Sequence, residues 1–134
     1  MMPVPKFGTG IFIFLRKRRW AIVKRVEMII RPEKLEDVKA VLNDLAIHGM
    51  TVTMVSGCGK QKGRKKVYRG TEFSLNLIPK IKVETVIPDD VVNTLIEKTI
   101  EAIKTGEIGD GKIFVYPVDQ AVRIRTGETG STAI

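Results

Sequence analysis

The chain has 134 residues, 43% of them hydrophobic, which is enough for one domain with a packed core and excludes wholesale disorder. Its single cysteine, Cys58, excludes an internal disulfide framework and fits a reducing compartment. The net charge of +8 does not by itself indicate a nucleic-acid-binding protein, because residues 1–22 supply five of those charges and leave +3 for the rest.

Residues 1–22 form an N-terminal extension unlike the patterned remainder of the chain. Its apolar run, residues 11–15, is too short to span a bilayer, which takes about 20 residues. The basic cluster at residues 16–19 follows that run, whereas a signal peptide places its positive charge first. We expect a disordered tail or a misassigned start codon, with the natural chain beginning near Val23, and a segment lying on a membrane surface is the alternative. Residues 23–134 are predicted to form the folded domain.

The first half of this domain alternates between strand and helix signals. Apolar residues at every second position predict a strand over residues 24–31. Pro32, followed by acidic residues, begins a predicted helix over residues 33–47. Gly49 is the expected cap of that helix. The β-branched residues at 51–56 predict a second strand.

The second half repeats this order loosely. Residues 80–87 predict a strand, with Lys80, Lys82 and Glu84 on one face. Pro88 begins a second helix, which Gly106 ends. Residues 113–118 predict a fourth strand, and residues 121–125 a further edge strand. The order βαββαβ predicts an α+β sandwich of the ferredoxin-like type.

A long segment, residues 57–80, separates the second and third predicted strands. It is rich in glycine and basic residues and contains one acid, Glu72. Connections in compact domains usually span about 4–6 residues, and longer ones are usually functional or disordered. We therefore expect a loop that the domain presents to a ligand or a partner.

The sequence offers little for hydrolytic or nucleophilic catalysis. His48 is the only histidine, so a metal site with several histidine ligands is excluded, and we interpret it as a polar residue near a helix end. Cys58 lies near Lys60, but no partner for an activated thiol is evident, so we interpret it as a small residue in a tight turn. We predict that the protein is not an enzyme.

Two glycine-containing segments indicate an anion-binding site. Residues 57–63 and 109–112 match neither the dinucleotide fingerprint nor the Walker A pattern, but both offer backbone N–H groups and lysines. Arg123 and Arg125, on one face of the expected edge strand, add donors that suit phosphate oxygens. One domain can hardly bring both segments to a single phosphate chain, which indicates a site shared between subunits.

These residues resemble the P-II family of nitrogen regulatory proteins, over residues 23–134. The likeness rests on residues 29–35, 49–53, 63, 68–70, 105–115 and 123–128. It implies a cytoplasmic homotrimer of ferredoxin-like subunits, with ATP or ADP bound competitively in the clefts between subunits. It also implies that 2-oxoglutarate binds only together with Mg-ATP. Residues 57–80 would be the T-loop, through which the family docks on target proteins.

The resemblance implies roles for individual residues. The nucleotide phosphates would be lined by Gly109, Asp110, Gly111 and Lys112 and reached from the neighbouring subunit by Arg123 and Arg125. The adenine or ribose would lie near Thr51 and Glu84, with Val86 against the base. The base of the loop, which comprises Gly57, Gly59, Lys60 and Gln61, would also contact the nucleotide. Gln61 would be a magnesium ligand, and 2-oxoglutarate would contact Gln61, Lys80 and Gly63.

The tip of the T-loop, with Tyr68, Arg69 and Thr71, would meet the target protein. Phe73 stands where many bacterial members carry a tyrosine that is uridylylated, so that modification is excluded at this position. Thr71 stands where some relatives carry a phosphorylated serine. Arg69 matches a residue that enters an ammonium-transporter pore in some members, which would recruit the protein to the membrane. A biosynthetic kinase, a transcription regulator and an adenylyltransferase are alternative targets.

Two other functions fit parts of the sequence. A nucleic-acid-binding domain could use residues 60–69 as a basic arm, although ferredoxin-like sheets that bind RNA usually present aromatic residues, and few are expected to be exposed here. An acyl-phosphate-hydrolysing enzyme of the same fold could place an arginine in a glycine loop. We expect neither nucleic-acid binding nor turnover of an acyl phosphate.

Overall fold

The computed structural model describes residues 22–58, 64–68, 71–75 and 77–134, and these residues adopt a ferredoxin-like α+β fold. The strands are β1 (Val23–Ile30), β2 (Thr51–Gly57), β3 (Arg64–Tyr68), β4 (Thr71–Leu75), β5 (Ile78–Pro88) and β6 (Gly111–Val118), and the helices are α1 (Leu35–Asp44) and α2 (Val92–Ile103). The main sheet is antiparallel in the order β2-β5-β1-β6. The fold class predicted from the order of elements is confirmed.

One face of the main sheet carries the core, under the two helices. The alternation predicted for β1 and β5 is confirmed, because their inward residues are buried while Lys82 and Glu84, which point to the other face, are half-buried. The helices add apolar residues at helical spacing. The core consists of Val26, Met28, Ile30, Val38, Val41, Leu42, Ile81, Val83, Ile87, Val92, Leu95 and Ile103.

A proline precedes or opens the segment that leads into each of the two α-helices, as predicted. Pro32 opens a 3₁₀ turn, Pro32–Lys34, and Pro88 precedes a similar turn, Asp89–Val91; an α-helix continues each turn. The fixed φ of proline suits this position, and acidic residues there favour the positive end of the helix dipole. Within the described part of the chain, no helix is long and apolar enough to cross a membrane.

Helix α1 ends earlier than predicted, and Gly49 is not its cap. Ala46 adopts a left-handed φ of 57°. Its N–H donates to the Asn43 carbonyl at 3.0 Å, and the Ile47 N–H donates to the Leu42 carbonyl at 2.9 Å. These two bonds form a Schellman motif, which usually places glycine at the left-handed position. Because alanine occupies that position here, the sequence carried no glycine signal for the end of the helix.

Replacing Ala46 with glycine is expected to raise the free energy of unfolding by about 0.5–1 kcal/mol. Glycine removes the steric cost of the left-handed conformation, about 1–2 kcal/mol, and loses part of that gain through a freer unfolded chain. Urea unfolding measures the change. As a matched control, Ala40→Gly within α1 should lower stability by about 0.5–1 kcal/mol. A loss of stability in Ala46→Gly would contradict this account of the helix end.

The segment between β2 and β5 contains the hairpin β3–β4, where the sequence predicted only a loop. The two strands form a sheet of their own, with Tyr68 opposite Thr71. The flanking strands also extend further than predicted, because β2 reaches Gly57 and β5 begins at Ile78, two residues before the predicted start at Lys80. The aromatic and β-branched residues at 67–73 favour strands, and the prediction overlooked that signal.

Residues 121–125 do not form the predicted edge strand. An isolated bridge pairs Val122 with Thr129, and between them the Gly127 N–H donates to the Arg123 carbonyl at 2.7 Å. Gly127 has a φ of 73°, which permits this reversal of the chain. Arg123 and Arg125 therefore lie on a turn and do not share the face of a strand.

Candidate functional site

The predicted site residues divide into two groups toward different ends of the main sheet. Strand β2 runs from one group toward the other. Its first residue, Thr51, pairs with Glu84 of β5, and its last residue, Gly57, pairs with Ile78. At a rise of about 3.3 Å per residue, the two ends of β2 are about 20 Å apart. We call Gly57, Lys80, Gly109, Asp110, Gly111 and Lys112 the loop group, and Thr51, Glu84, Val86 and Arg123 the cleft group.

The loop group is built on the turn at residues 105–111, which leads from α2 into β6. Gly106, Gly109 and Gly111 have φ values of 87°, 104° and 109°, which residues with a side chain rarely adopt. A Cβ on Gly111 would also overlap the carbonyl oxygen of Ile29. The glycines therefore allow this turn to lie directly against β1.

The Asp110 carboxylate fastens this turn from inside. It accepts hydrogen bonds from the N–H groups of Thr105 and Gly106, both at 2.9 Å, and from the Thr105 hydroxyl. The bond from the Thr105 hydroxyl, followed by the bond from its N–H, lowers the pKa of Asp110 to about 2. The carboxylate is therefore ionised at neutral pH.

Two cationic side chains approach the same turn from the sheet. Arg31, which follows β1, donates from Nη2 to the Ile108 carbonyl at 2.9 Å. Lys80 donates from Nζ to the Gly109 carbonyl at 2.8 Å. Burial lowers the pKa of Lys80, and the Arg31 guanidinium lowers it further. Two positive charges beside a glycine-rich backbone give this region a positive potential that suits an anion.

The cleft group lines a cavity of about 820 Å³. The cavity lies between the α1–β2 connection, the last part of β5 and the C-terminal segment, and His48 also lines it. The Thr85 hydroxyl donates to the Gly49 carbonyl at 2.6 Å and ties the α1–β2 connection to β5. A concave cavity of this volume falls in the range of small-molecule sites.

Glu84 in the cleft is held by Arg25, which the sequence did not single out. The Arg25 Nη1 lies 3.4 Å from the Glu84 Oε2, and the Arg25 Cζ lies 4.2 Å from the centroid of the Tyr116 ring. The ion pair and the cation–π contact act on one guanidinium, so they restrict its position and that of the carboxylate. Glu84 thereby presents an oriented hydrogen-bond acceptor to the cavity.

The two predicted arginines lie at the C-terminal turn. Arg123 lines the cleft, and its Nη1 donates to the Glu128 Oε1 at 2.9 Å. The Thr126 hydroxyl donates to the same oxygen at 2.8 Å. Arg125 is exposed on the adjacent turn. The turn therefore positions Arg123 beside the cleft of its own chain and leaves Arg125 facing solvent.

Several predicted residues are not placed with the two groups. Gly59, Lys60, Gln61, Gly63 and Arg69 lie outside the described residues. Tyr68 and Thr71 are paired in the register of β3 and β4 at the end of the hairpin. Cys58 is exposed after β2, whereas Lys112, a member of the loop group, is exposed near the start of β6, opposite Ile29.

Sequence reasoning missed Arg25, Arg31 and Thr105. Thr105 had a detectable signal, because a threonine and an aspartate that flank glycines often bond nearby backbone N–H groups in turns. The two arginines had no such signal, since strand pairing and packing bring them to Glu84 and to the turn at residues 105–111.

Comparison with known proteins shows what the chain is similar to. The family model described as nitrogen regulatory protein P-II matches residues 23–128. Nitrogen regulatory protein P-II of Haemophilus influenzae is 52% identical over 112 residues, which cover 84% of this chain and 100% of that protein. Nitrogen regulatory protein P-II 1 of Escherichia coli is 49% identical with the same coverage. A crystal structure of Arabidopsis thaliana PII bound to citrate is 38% identical, with a TM-score of 0.69, and the match covers 85% of this chain and 94% of that one.

Proposed function

The chain belongs to the P-II family of nitrogen regulatory proteins, and on this premise we propose that it senses ATP, ADP and 2-oxoglutarate and controls nitrogen-assimilation targets through its T-loop. The observation that supports this proposal most is the division of the site into a loop group and a cleft group. One group suits an anion and the other suits a small molecule, and Lys80 of the loop group lies four residues, about 13 Å, from Glu84 of the cleft group along β5 of the same chain.

We propose that each nucleotide site forms where the loop group of one subunit meets the cleft group of the next, in a homotrimer. A head-to-tail contact of this kind generates a closed ring when the rotation fits. The outer strands of the described chain leave Met54, Phe114 and Tyr116 exposed. The two exposed aromatic residues were not anticipated from the sequence, and a contact between subunits would cover such apolar side chains.

Within this shared site the loop group would receive the phosphates. Backbone N–H groups at Gly109 and Gly111 and the Lys112 ammonium suit phosphate oxygens. Arg123 and Arg125 from the neighbouring subunit would add guanidinium donors. In the cleft, Thr51 and Glu84 would bond the ribose or the adenine, and Val86 would pack against the base.

Magnesium and 2-oxoglutarate would join ATP at the loop group. Among the described residues, no cluster of three or more His, Cys, Asp or Glu could hold a metal ion. We propose that Gln61 binds the ion together with oxygens of the phosphates and of the 2-oxo acid. Magnesium prefers such oxygen ligands in octahedral geometry. Lys80 and Gly63 would contact the far carboxylate of 2-oxoglutarate.

The T-loop would transmit this occupancy to a target protein. Its base would comprise Gly57, Gly59, Lys60 and Gln61, and its tip Tyr68, Arg69 and Thr71, of which Tyr68 and Thr71 are paired at the end of the hairpin β3–β4. Ligands that hold the base favour some positions of the tip over others, which couples ligand binding to docking. We propose a cytoplasmic protein whose target is an ammonium transporter at the membrane, a biosynthetic kinase or a transcription regulator.

Mixed trimers test whether the site is shared. The variants Lys112→Ala and Arg125→Ala are each expected to weaken ADP binding about tenfold or more, because each loses a charge-assisted contact to phosphate. When the two variants are refolded together in equal amounts, about a quarter of the sites should combine an intact loop group with an intact Arg125. Calorimetry with ADP should therefore recover that fraction of wild-type binding.

Each variant refolded alone is the control, and native mass spectrometry verifies that subunits have mixed. If mixed trimers form and no wild-type affinity returns, the site lies within one chain and the proposed assembly of the site is wrong.

A further inference from the structure

Both oxygens of the Asp110 carboxylate accept hydrogen bonds from groups of the same chain. Oδ2 accepts the N–H groups of Thr105 and Gly106, and Oδ1 accepts the Thr105 hydroxyl. The Arg31 Nε lies 3.5 Å from the same Oδ1. A carboxylate with these contacts turns its oxygens toward the inside of the turn. A negative charge facing a phosphate would also repel it.

Arg31 connects this carboxylate to the rest of the turn. Its guanidinium pairs with Asp110 through one nitrogen and donates from another to the Ile108 carbonyl at 2.9 Å. Its side chain is 19% exposed, so solvent screens these contacts less than it screens surface ion pairs. One side chain, anchored directly after β1, thus holds the turn at two points.

We propose that Thr105, Arg31 and Asp110 are positioning residues that set the conformation of the turn at residues 105–111, and that the Asp110 carboxylate contacts neither phosphate nor magnesium. This inference rests on the proposed function for the phosphate-binding role of the turn. It revises the role that the resemblance implied for Asp110, since only the backbone at this residue would face the nucleotide.

The two roles for Asp110 predict opposite effects on nucleotide affinity without magnesium. If the carboxylate faced the phosphates, Asp110→Asn and Asp110→Ala would remove a repulsion and tighten ADP binding. If it positions the turn, both variants weaken binding. Asp110→Asn keeps one oxygen to accept the N–H groups of Thr105 and Gly106, but it loses the charge attraction to Arg31. Asp110→Ala loses all of these contacts. The expected order of affinity is wild type, then Asp110→Asn, then Asp110→Ala.

Calorimetry with ADP in the presence of EDTA measures this order. Asp110→Ala should bind ADP about tenfold more weakly than the wild type. Thr105→Val, which removes the hydroxyl but keeps the shape, should also weaken binding, and Thr105→Ser should restore it. Unchanged or tighter binding by Asp110→Ala in EDTA would overturn the proposal. So would a loss in that variant that occurs only when magnesium is present, because it would identify a metal ligand.

Hydrogen exchange in the protein without ligand separates this inference from the proposed function. The N–H groups of Thr105 and Gly106 should exchange faster in Asp110→Ala than in the wild type, while exchange in the core of β1 stays the same. If the wild type fails to bind ADP, the proposed function is wrong, and faster exchange at these two groups still supports the positioning role. Unchanged exchange there overturns it.

Discussion

Replacing Gly111 with alanine is expected to lower the free energy of unfolding by about 2–4 kcal/mol. Two costs combine at this position. A φ of 109° strains any residue with a side chain, and the added Cβ would overlap the Ile29 carbonyl oxygen of the adjacent strand. Because Gly111 and Ile30 are paired in the sheet, relief of the overlap must shift backbone rather than a flexible side chain. Urea unfolding monitored by circular dichroism measures the loss.

Gly106 provides the matched control in the same turn. Its φ is 87°, but a Cβ built there meets nothing within 4 Å. Gly106→Ala should therefore carry the conformational cost alone, about 1–2 kcal/mol. Equal losses in the two variants would show that the close approach to Ile29 is not what requires glycine at position 111.

Replacing Lys80 with alanine is expected to weaken 2-oxoglutarate binding in the presence of Mg-ATP by about 10- to 100-fold. In the proposed site the Lys80 ammonium pairs with the far carboxylate of 2-oxoglutarate. Lys80→Ala removes the ammonium and leaves this carboxylate without that ion pair. ADP binding should change far less, because the Gly109 carbonyl, which Lys80 bonds at 2.8 Å, is only one of several points that hold the turn. Calorimetry with each ligand measures both affinities.

Lys82 is the control for this experiment. It lies on the same strand and the same face as Lys80, two residues further along β5. Lys82→Ala removes the same charge at a position paired with Ile29 and Thr53, further along β5 from Gly57 than Lys80 is, so both affinities should be retained. Equal losses of ADP and 2-oxoglutarate binding in Lys80→Ala would mean that Lys80 serves the structure of the turn and not recognition of the acid.

The sequence predicted the core of the fold because its signals are local. Alternation in β1 and β5, the two prolines and the apolar helix faces follow from neighbouring residues, and they determine the order of the elements. The errors have equally local causes. Alanine at position 46 replaced the usual glycine signal, and the C-terminal turn contains β-branched residues that resemble a strand. The hairpin β3–β4 was not predicted, because the basic residues of the T-loop indicated only an exposed loop.

The candidate site was less accessible from sequence than the fold. The glycines and lysines of the loop group could be recognised as an anion-binding pattern, and the family resemblance supplied the roles of Thr51 and Glu84. The residues that hold these groups in position could not be identified from the sequence. Arg31 and Arg25 lie far along the chain from their partners Asp110 and Glu84, and packing alone brings each pair together. The division of the site between two regions of the main sheet likewise emerges only when the strands pair.

Titration of the wild-type protein with 2-oxoglutarate, with and without Mg-ATP, tests the central claim most directly. The proposed site requires magnesium, held by Gln61 and the ATP phosphates, to bind the 2-oxo acid, so calorimetry should show binding when Mg-ATP is present and none in its absence. Equal affinity for 2-oxoglutarate without nucleotide, or no binding with Mg-ATP, would contradict the account.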